Sequence, residues 1–210
     1  MHLDPSEALA HVTLPTDLDE IDRDRRQIKK AMRDSGVPTN LLNGVATRAL
    51  RSGRRQTGEF QSNRDPRWNL KPNDPQYGTE IDCKIIEIRL LAMTLSFDNA
   101  PKLDRETRKM LETKYLGVSI QAGSYRDSLL LERMDFKQFV KEAENPTHGS
   151  SNFHLGHEDP TLSPKHVPHN ISWRSHRSNL IQGDMTLRQA RIYFVKLIAR
   201  YFELGELNLK

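Results

Sequence analysis

Hydrophobic positions fall first at helical spacing. In DLDEIDRDRRQIKKAMRDSG, Asp17 to about Ser35, Leu18, Ile21, Ile28 and Met32 share one side. Acidic residues lead, basic ones follow and Gly36 closes, an order that the helix dipole favours. TNLLNGVATRALRSGRR predicts a second helix over 39–52, with Leu42, Val45 and Ala49 on one side and Arg48, Arg51, Arg54 and Arg55 toward its C-terminal end. Residues 56–79 then lose the period. Their density of Pro, Gly, Asn and Asp predicts an extended loop, long enough in a compact domain to call for a function. EIDCKIIEIRLLAMTLSF (80–97) is close to continuously apolar and rich in Ile, which predicts a strand turning helical near Leu90. An amphipathic helix ending in Gly is expected over 102–117, and short strand-like runs around Gly123 over 118–134. A short helix over 135–146 is expected to be capped by Asp135 and stopped by Pro146.

The C-terminal third follows a different pattern. NFHLGH predicts a short strand ending at His157 and stopped by Pro160, followed by a loop carrying Pro164 and Pro168 and a return strand HNISW. Ser175 then caps a short helix, HRSNLIQ, which Gly183 ends, and Asp184 is placed to cap the next. In that last helix, about Thr186 to Glu203, Leu187, Ala190, Phe194, Leu197, Ile198 and Tyr201 are in register and predict a core face bracing the helix before it. The fold class is therefore α+β: a mixed helical and strand body, then a strand, loop, strand, helix unit, then a packed helix. Residues 1–150 form the expected DNA-binding and dimerisation region and residues 151–210 the expected catalytic region.

Composition narrows the class. A chain of 210 residues, 29% charged and 36% hydrophobic, is long enough to bury a core. No apolar run approaches the roughly 20 residues that span a bilayer. The start, MHLDPSEALAHVTLP, lacks the order of a secretion signal, so no membrane association and a cytoplasmic location are expected. The lone Cys83 excludes internal disulfides and Cys-rich zinc modules. The net charge of +4 is modest, but between Arg23 and Lys71 there are 13 Lys and Arg against 4 Asp and Glu. Such a block forms either a solvated helix face or a polyanion-binding surface. Arg64, Arg67 and Trp68 in the 56–79 loop are placed to clamp a nucleic-acid backbone or to pack the loop onto the body.

Residues 154–184 hold five of the eight histidines. The stretch resembles the HNH, or ββα-metal, nuclease superfamily: His157-Glu158-Asp159-Pro160 matches the usual start, Asn170 lies 13 residues later, and Asn179 lies 9 beyond that with NLIQGD closing the motif. The match covers about 30 of the 210 residues. The resemblance implies metal-dependent hydrolysis of phosphodiester bonds in double-stranded DNA. His157 would deprotonate the attacking water, Asn170 would hold that imidazole by its amide or backbone, and Asn179 would ligate one Mg²⁺ or Mn²⁺. Two positions depart from the pattern. Gly156 stands where the family has a metal-binding Asp or His, which leaves His154, three residues before the base, as the substitute ligand, with Asp159 and Asp184 as further candidates. Ser175 and Ser178 stand at the family's Cys positions, so no zinc knuckle is expected. His176, one turn from Asn179, is a further candidate ligand. Arg174 and Arg177 flank the site as candidate phosphate contacts beside Arg48, Arg51, Arg54, Arg55, Arg64 and Arg67. A protein of this size built on the motif looks like a Type II restriction endonuclease, with a phage or mobile-element nicking enzyme as the nearest relative in activity. Such enzymes generally act as homodimers, since two strands need two sites.

Other readings stay open. Asp82-x-Lys84 on a buried strand resembles the end of the PD-(D/E)xK pattern, with Asp74 or Glu80 assisting. From other classes, the chain is read as a non-catalytic DNA-binding regulator, or as a His-based metal-storage or small-substrate metalloenzyme site, although no HExxH pair is present.

Overall fold

The computed structural model describes residues 12–54, 56–57, 59–61, 63–146 and 151–207. Helix α1 (Leu18–Asp34) begins where the Asp17 carboxylate accepts the Asp19 N–H, and α2 (Thr39–Leu50) follows Pro38. A two-residue hairpin, β1 (Gln56–Thr57) and β2 (Phe60–Gln61), and one turn of 3-10 helix (Arg67–Asn69) lie within the expected loop. Helix α3 (Glu80–Thr94) crosses the middle of the body. Helix α4 (Arg105–Met110) continues as a π-helical turn (Leu111–Leu116) ended by Gly117 in the left-handed region. Helix α5 (Phe136–Glu144) is capped by Asp135. Strands β3 (Phe153–His157) and β4 (Ile171–Ser175) pair antiparallel, with Phe153 opposite Ser175 and His157 opposite Ile171. Helices α6 (His176–Gln182) and α7 (Leu187–Glu203) complete the chain, so the α+β class holds.

Residues 80–94 are a helix, not the expected strand. Every residue from Cys83 to Thr94 is buried, so the stretch carries no polar face and its apolar run has no helical period to detect. Ile21, Ile28 and Met32 of α1 and Leu42, Val45 and Ala49 of α2 pack into the same core. The charged groups of α3 are matched from α1 and its neighbours. Glu87 receives Arg25 Nε at 2.9 Å and also pairs with Lys29, while Lys84 reaches Asp22 and Glu80, each at 2.8 Å. Part of the basic block is thereby committed to internal ion pairs. Asp82 accepts the Thr79 hydroxyl at 2.7 Å in the first turn of α3. Asp82 and Lys84 thus serve a helix cap and ion pairs rather than a strand-borne catalytic pair.

Three further expectations change. Residues 118–134 form turns with single bridges, among them Arg126 to Arg133, instead of strands. Their anchors are side chains. Tyr125 Oη donates to Trp173 O at 2.9 Å and accepts the Trp173 N–H at 2.8 Å, and the buried Asp127 accepts the backbone N–H groups of Leu129 and Leu130. Helix α7 is capped by Thr186 with Gln189 in a capping box, not by Asp184. Arg191 and Phe194 are the last residues of α7 seen to engage the body, by a hydrogen bond to Ser128 O and by packing beside Leu129; Ile198 and Tyr201, expected in the core, are exposed. Phe153, Ile171 and Trp173 of the hairpin belong to the same core as α1–α3, so the catalytic candidate and the helical body share one interior.

Candidate functional site

Strand alternation gives the β3–β4 hairpin two faces. Phe153, Leu155, His157, Ile171 and Trp173 face the helical body. Trp173 is fully buried, meets Phe139 edge-on at 5.0 Å and donates Nε1–H to Leu90 O at 2.8 Å, which seats the hairpin on α3 and α5. His154, Gly156, Ser172 and Arg174 lie on the other face, covered by α6.

On the body side, a cleft of about 350 Å³ opens along the free edge of β3. Arg48, Arg51, Arg64, Arg67, Lys165, His154 and His157 line it, and among the described residues its lining contains no Asp or Glu. Helix α2 and the turn after it bring Arg48 and Arg51, the expected loop brings Arg64 and Arg67, and the β3–β4 loop brings Lys165. Arg67 is held by donation from Nη1 to Gln76 O at 2.9 Å, and Arg48 by donation from Nη1 to Gly44 O at 3.1 Å, with its guanidinium 5.9 Å from the Trp173 ring centre. Both are partly buried, and burial lowers their pKa values, yet a guanidinium keeps its charge at neutral pH.

His157 sits at the inner end of this cleft. Its Nε2 is shielded and has no hydrogen-bond partner, and its ring meets His166 edge-on at 5.9 Å. Burial, reinforced by the positive charges of Lys165, Arg67 and Arg174, pushes His157 down to about 3, so the imidazole is neutral at physiological pH. His166 is fully buried. Its Nε2 lies 2.7 Å from Ala49 O, and because a carbonyl only accepts, that nitrogen carries the proton. Burial first, then Arg67, pushes His166 down to about 2.

The opposite face holds a largely buried polar network. Arg174 is fully buried, donates Nε to Ser172 Oγ at 3.0 Å and pairs through Nη2 with Glu158 Oε2 at 3.1 Å. Ser128 and Ser172 also donate to Glu158, and Asp127 accepts Ser178 Oγ at 2.7 Å and the Ser175 N–H at 2.8 Å. Arg174 is therefore an internal ion-pair partner, which corrects its assignment as a phosphate contact. It also explains Gly156: a Cβ there would lie 2.3 Å from Arg174 Cγ, so no carboxylate side chain fits at that position.

The metal expected from the resemblance is not matched by these residues. Position 156 is filled by its neighbour, and a guanidinium occupies that face. His154 Nε2 is 3.1 Å from His176 Nδ1 but also 2.7 Å from Ser151 O. Donating its proton to that carbonyl takes Nε2 out of use as a ligand and leaves the lone pair on Nδ1. Asn179 is on α6, which packs on the hairpin face opposite the one that strand alternation gives the His157 side chain. Among the described residues, no three His, Cys, Asp or Glu side chains converge as a metal site. Mg²⁺ and Mn²⁺ favour oxygen ligands, and the two carboxylates of this network, Glu158 and Asp127, are engaged by Arg174 and by serine and backbone donors.

Asn170 is buried and is engaged with the loop rather than with the imidazole. Its Nδ2 donates to Asp159 O at 2.7 Å and to Lys165 O at 2.9 Å, and its Oδ1 accepts the Asp159 N–H at 2.7 Å. These bonds fix the start and end of the loop that leaves His157 and returns with Lys165. Arg54 is exposed one residue beyond Gly53 of the lining, Arg177 is exposed on α6, and Arg55 lies outside the described residues. Sequence reasoning passed over Lys165. The legible signal was its place between the two strands, in the loop that starts at His157.

No protein-family model matches the chain, and no curated protein matches it. Among solved structures, it is similar to one described as "Crystal structure of a type II restriction endonuclease", with a TM-score of 0.51 and 18% identity. The alignment covers 61% of this chain and 55% of that one, so the match spans little more than half of that protein's length. At this identity the likeness is one of fold.

Proposed function

We propose that the protein is an endonuclease that hydrolyses phosphodiester bonds in double-stranded DNA at the basic cleft, with His157 as the general base. The observation that carries the reading is a neutral imidazole in a cleft to which the described residues contribute four arginines, one lysine and no carboxylate. A phosphodiester is the anion this lining suits, and Arg51 and Arg64 at its exposed rim are placed to meet a backbone first. Phosphate seated against Lys165 and Arg67 offsets the charges that depress His157, raising its basicity once substrate is bound. Water oxygen then attacks phosphorus, its proton passes to the imidazole, and the bond from phosphorus to a sugar oxygen breaks. The guanidinium and ammonium groups meet the charge that develops on the phosphate and leaving oxygens. No step is assigned to a divalent ion. The fold likeness to a type II restriction endonuclease supports site-specific cleavage, and cutting both strands at one place takes two copies of the site.

Digestion of supercoiled plasmid in Mg²⁺, in Mn²⁺ and in EDTA, followed by sequencing of the ends, tests this. Nicked or linear product with a common end sequence is expected, and the three buffers read a metal requirement separately from the base. Binding of plasmid without cleavage in all three buffers would make the protein a DNA-binding regulator.

A further inference from the structure

Two neighbouring imidazoles at the inner end of the cleft each bury one nitrogen without a partner: Nε2 of His157 and Nδ1 of His166. The tautomer of His166 is fixed. Its Nε2 donates to Ala49 O, so its Nδ1 carries a lone pair. Gly78 lies against Cδ2 of the same ring, which puts the Nδ1 edge on the side away from Gly78. His157 lines the cleft and is only partly buried; Nε2 is its shielded nitrogen, and Nδ1 is the one left to the cleft. The two ring centres are 5.9 Å apart. A straight N–H···N bond between imidazoles separates their centres by about 5 Å, so the pair stands within about 1 Å of that spacing.

We propose that His166 is a positioning residue for His157: its Nδ1 accepts the His157 Nε2–H, which keeps the His157 lone pair on Nδ1, toward the cleft. A donor and an acceptor that are each costly to bury alone satisfy one another in this arrangement. Only one tautomer of His157 allows it, since a proton on Nδ1 would set two lone pairs against each other. Asn170, whose amide is taken up by Asp159 and Lys165, is not free for the task. The catalytic consequence rests on the endonuclease reading. Under that reading the attacking water gives its proton to His157 Nδ1, and the Nε2 proton stays in place. The imidazolium so formed is a stronger donor, so His166 stabilises the charged base more than the resting one. Lys165, Arg67 and Arg174 oppose the charging of His157, and Arg67 and Lys165 also keep His166 neutral and therefore an acceptor.

Long-range ¹H–¹⁵N correlation spectra of the full chain, labelled with ¹⁵N-histidine, read the tautomer of each ring, and His157→Ala and His166→Gln identify the signals. Both rings are expected to carry their proton on Nε2 near neutral pH. Single-turnover cleavage then separates positioning from a structural role. His166→Gln keeps an amide donor for Ala49 O but offers no acceptor at the Nδ1 position, whereas His166→Asn places an amide oxygen near that position and loses the Ala49 bond. Cleavage by His166→Gln is expected to fall about 10–100-fold at unchanged DNA affinity, the worth of one hydrogen bond to a charged group. His166→Asn should cleave faster than His166→Gln although it unfolds at lower urea. A His166→Gln rate within about threefold of wild type, or rates that follow stability with His166→Asn the slower, would make His166 a structural residue only. A His157 proton on Nδ1 would overturn the pairing outright. A wild type that cleaves no DNA would remove the catalytic role along with the endonuclease reading, and the spectra decide the pairing by themselves.

Discussion

Arg174 shows how one side chain can look like a ligand-binding residue in sequence and be a structural one in the fold. Its neighbours in the chain, Ser172 and Ser178, accept from its guanidinium, and Glu158 from the opposite strand end neutralises it. Removing one partner of a buried pair leaves the other charge without compensation, which costs about 3–5 kcal/mol. Arg174→Met is therefore expected to lower unfolding free energy by about 3 kcal/mol in a urea titration. Its effect on DNA affinity should be no larger than the loss of folded protein explains. His166 makes a second prediction. Held neutral in the folded chain, with a pKa of about 2 against 6.5 when exposed, it binds no proton where the unfolded chain does. Its contribution is complete above pH 6.5 and declines as pH falls from there toward 2, by about 1.4 kcal/mol per unit. Between pH 7.5 and 5.0 it alone should remove about 2 kcal/mol of stability. Urea titrations of His166→Gln should show a flatter pH dependence than wild type, and equal slopes would mean that His166 is not buried neutral.

The basic surface is assembled from three separated segments: the end of α2, the 63–67 stretch and the β3–β4 loop. Arg51 and Arg64 are exposed at its rim, whereas Arg25 and Lys29 of α1, in the same basic block, are bound to Glu87. Arg51→Ala with Arg64→Ala should weaken DNA binding evenly across sequences and reduce the slope of log K against log salt by about 2, roughly one for each phosphate that is no longer neutralised. The midpoint of urea unfolding should not move. Arg25→Ala should do the reverse. The sequence made α1, α2, α5 and the strand, loop, strand, helix unit legible, because each carries a clear hydrophobic period, joined by a capping Asp at α1 and α5 and a capping Ser at α6. Helix α3 was not legible, since burial on every side removes the contrast that a period needs. Helix α7 was legible as a helix but not in its orientation. Its apolar residues cover most of its circumference, and sequence does not say which arc meets the same chain and which arc stays exposed. The candidate site was legible in His157, Arg48, Arg51, Arg64 and Arg67. The filling of position 156 by Arg174 was not, because it depends on which residue stands diagonally across the strand pair.

The molecule as a whole joins a helical body, a hairpin seated on it by Trp173, and a projecting helix with an uncovered face. The cleft forms where body and hairpin meet, so under the proposed function chemistry at His157 would draw on cations from residues about a hundred positions earlier in the chain. That proposal gives binding to the arginine-lined walls and reaction to a single imidazole, and predicts that the two are separable by substitution. The sharpest experiment is the single-turnover cleavage rate of His157→Ala against wild type, with all DNA bound and affinity measured in parallel. A rate lower by about 10²–10⁴-fold is expected, with affinity changed less than about threefold. Cleavage by His157→Ala at the wild-type rate would remove this imidazole from the chemistry.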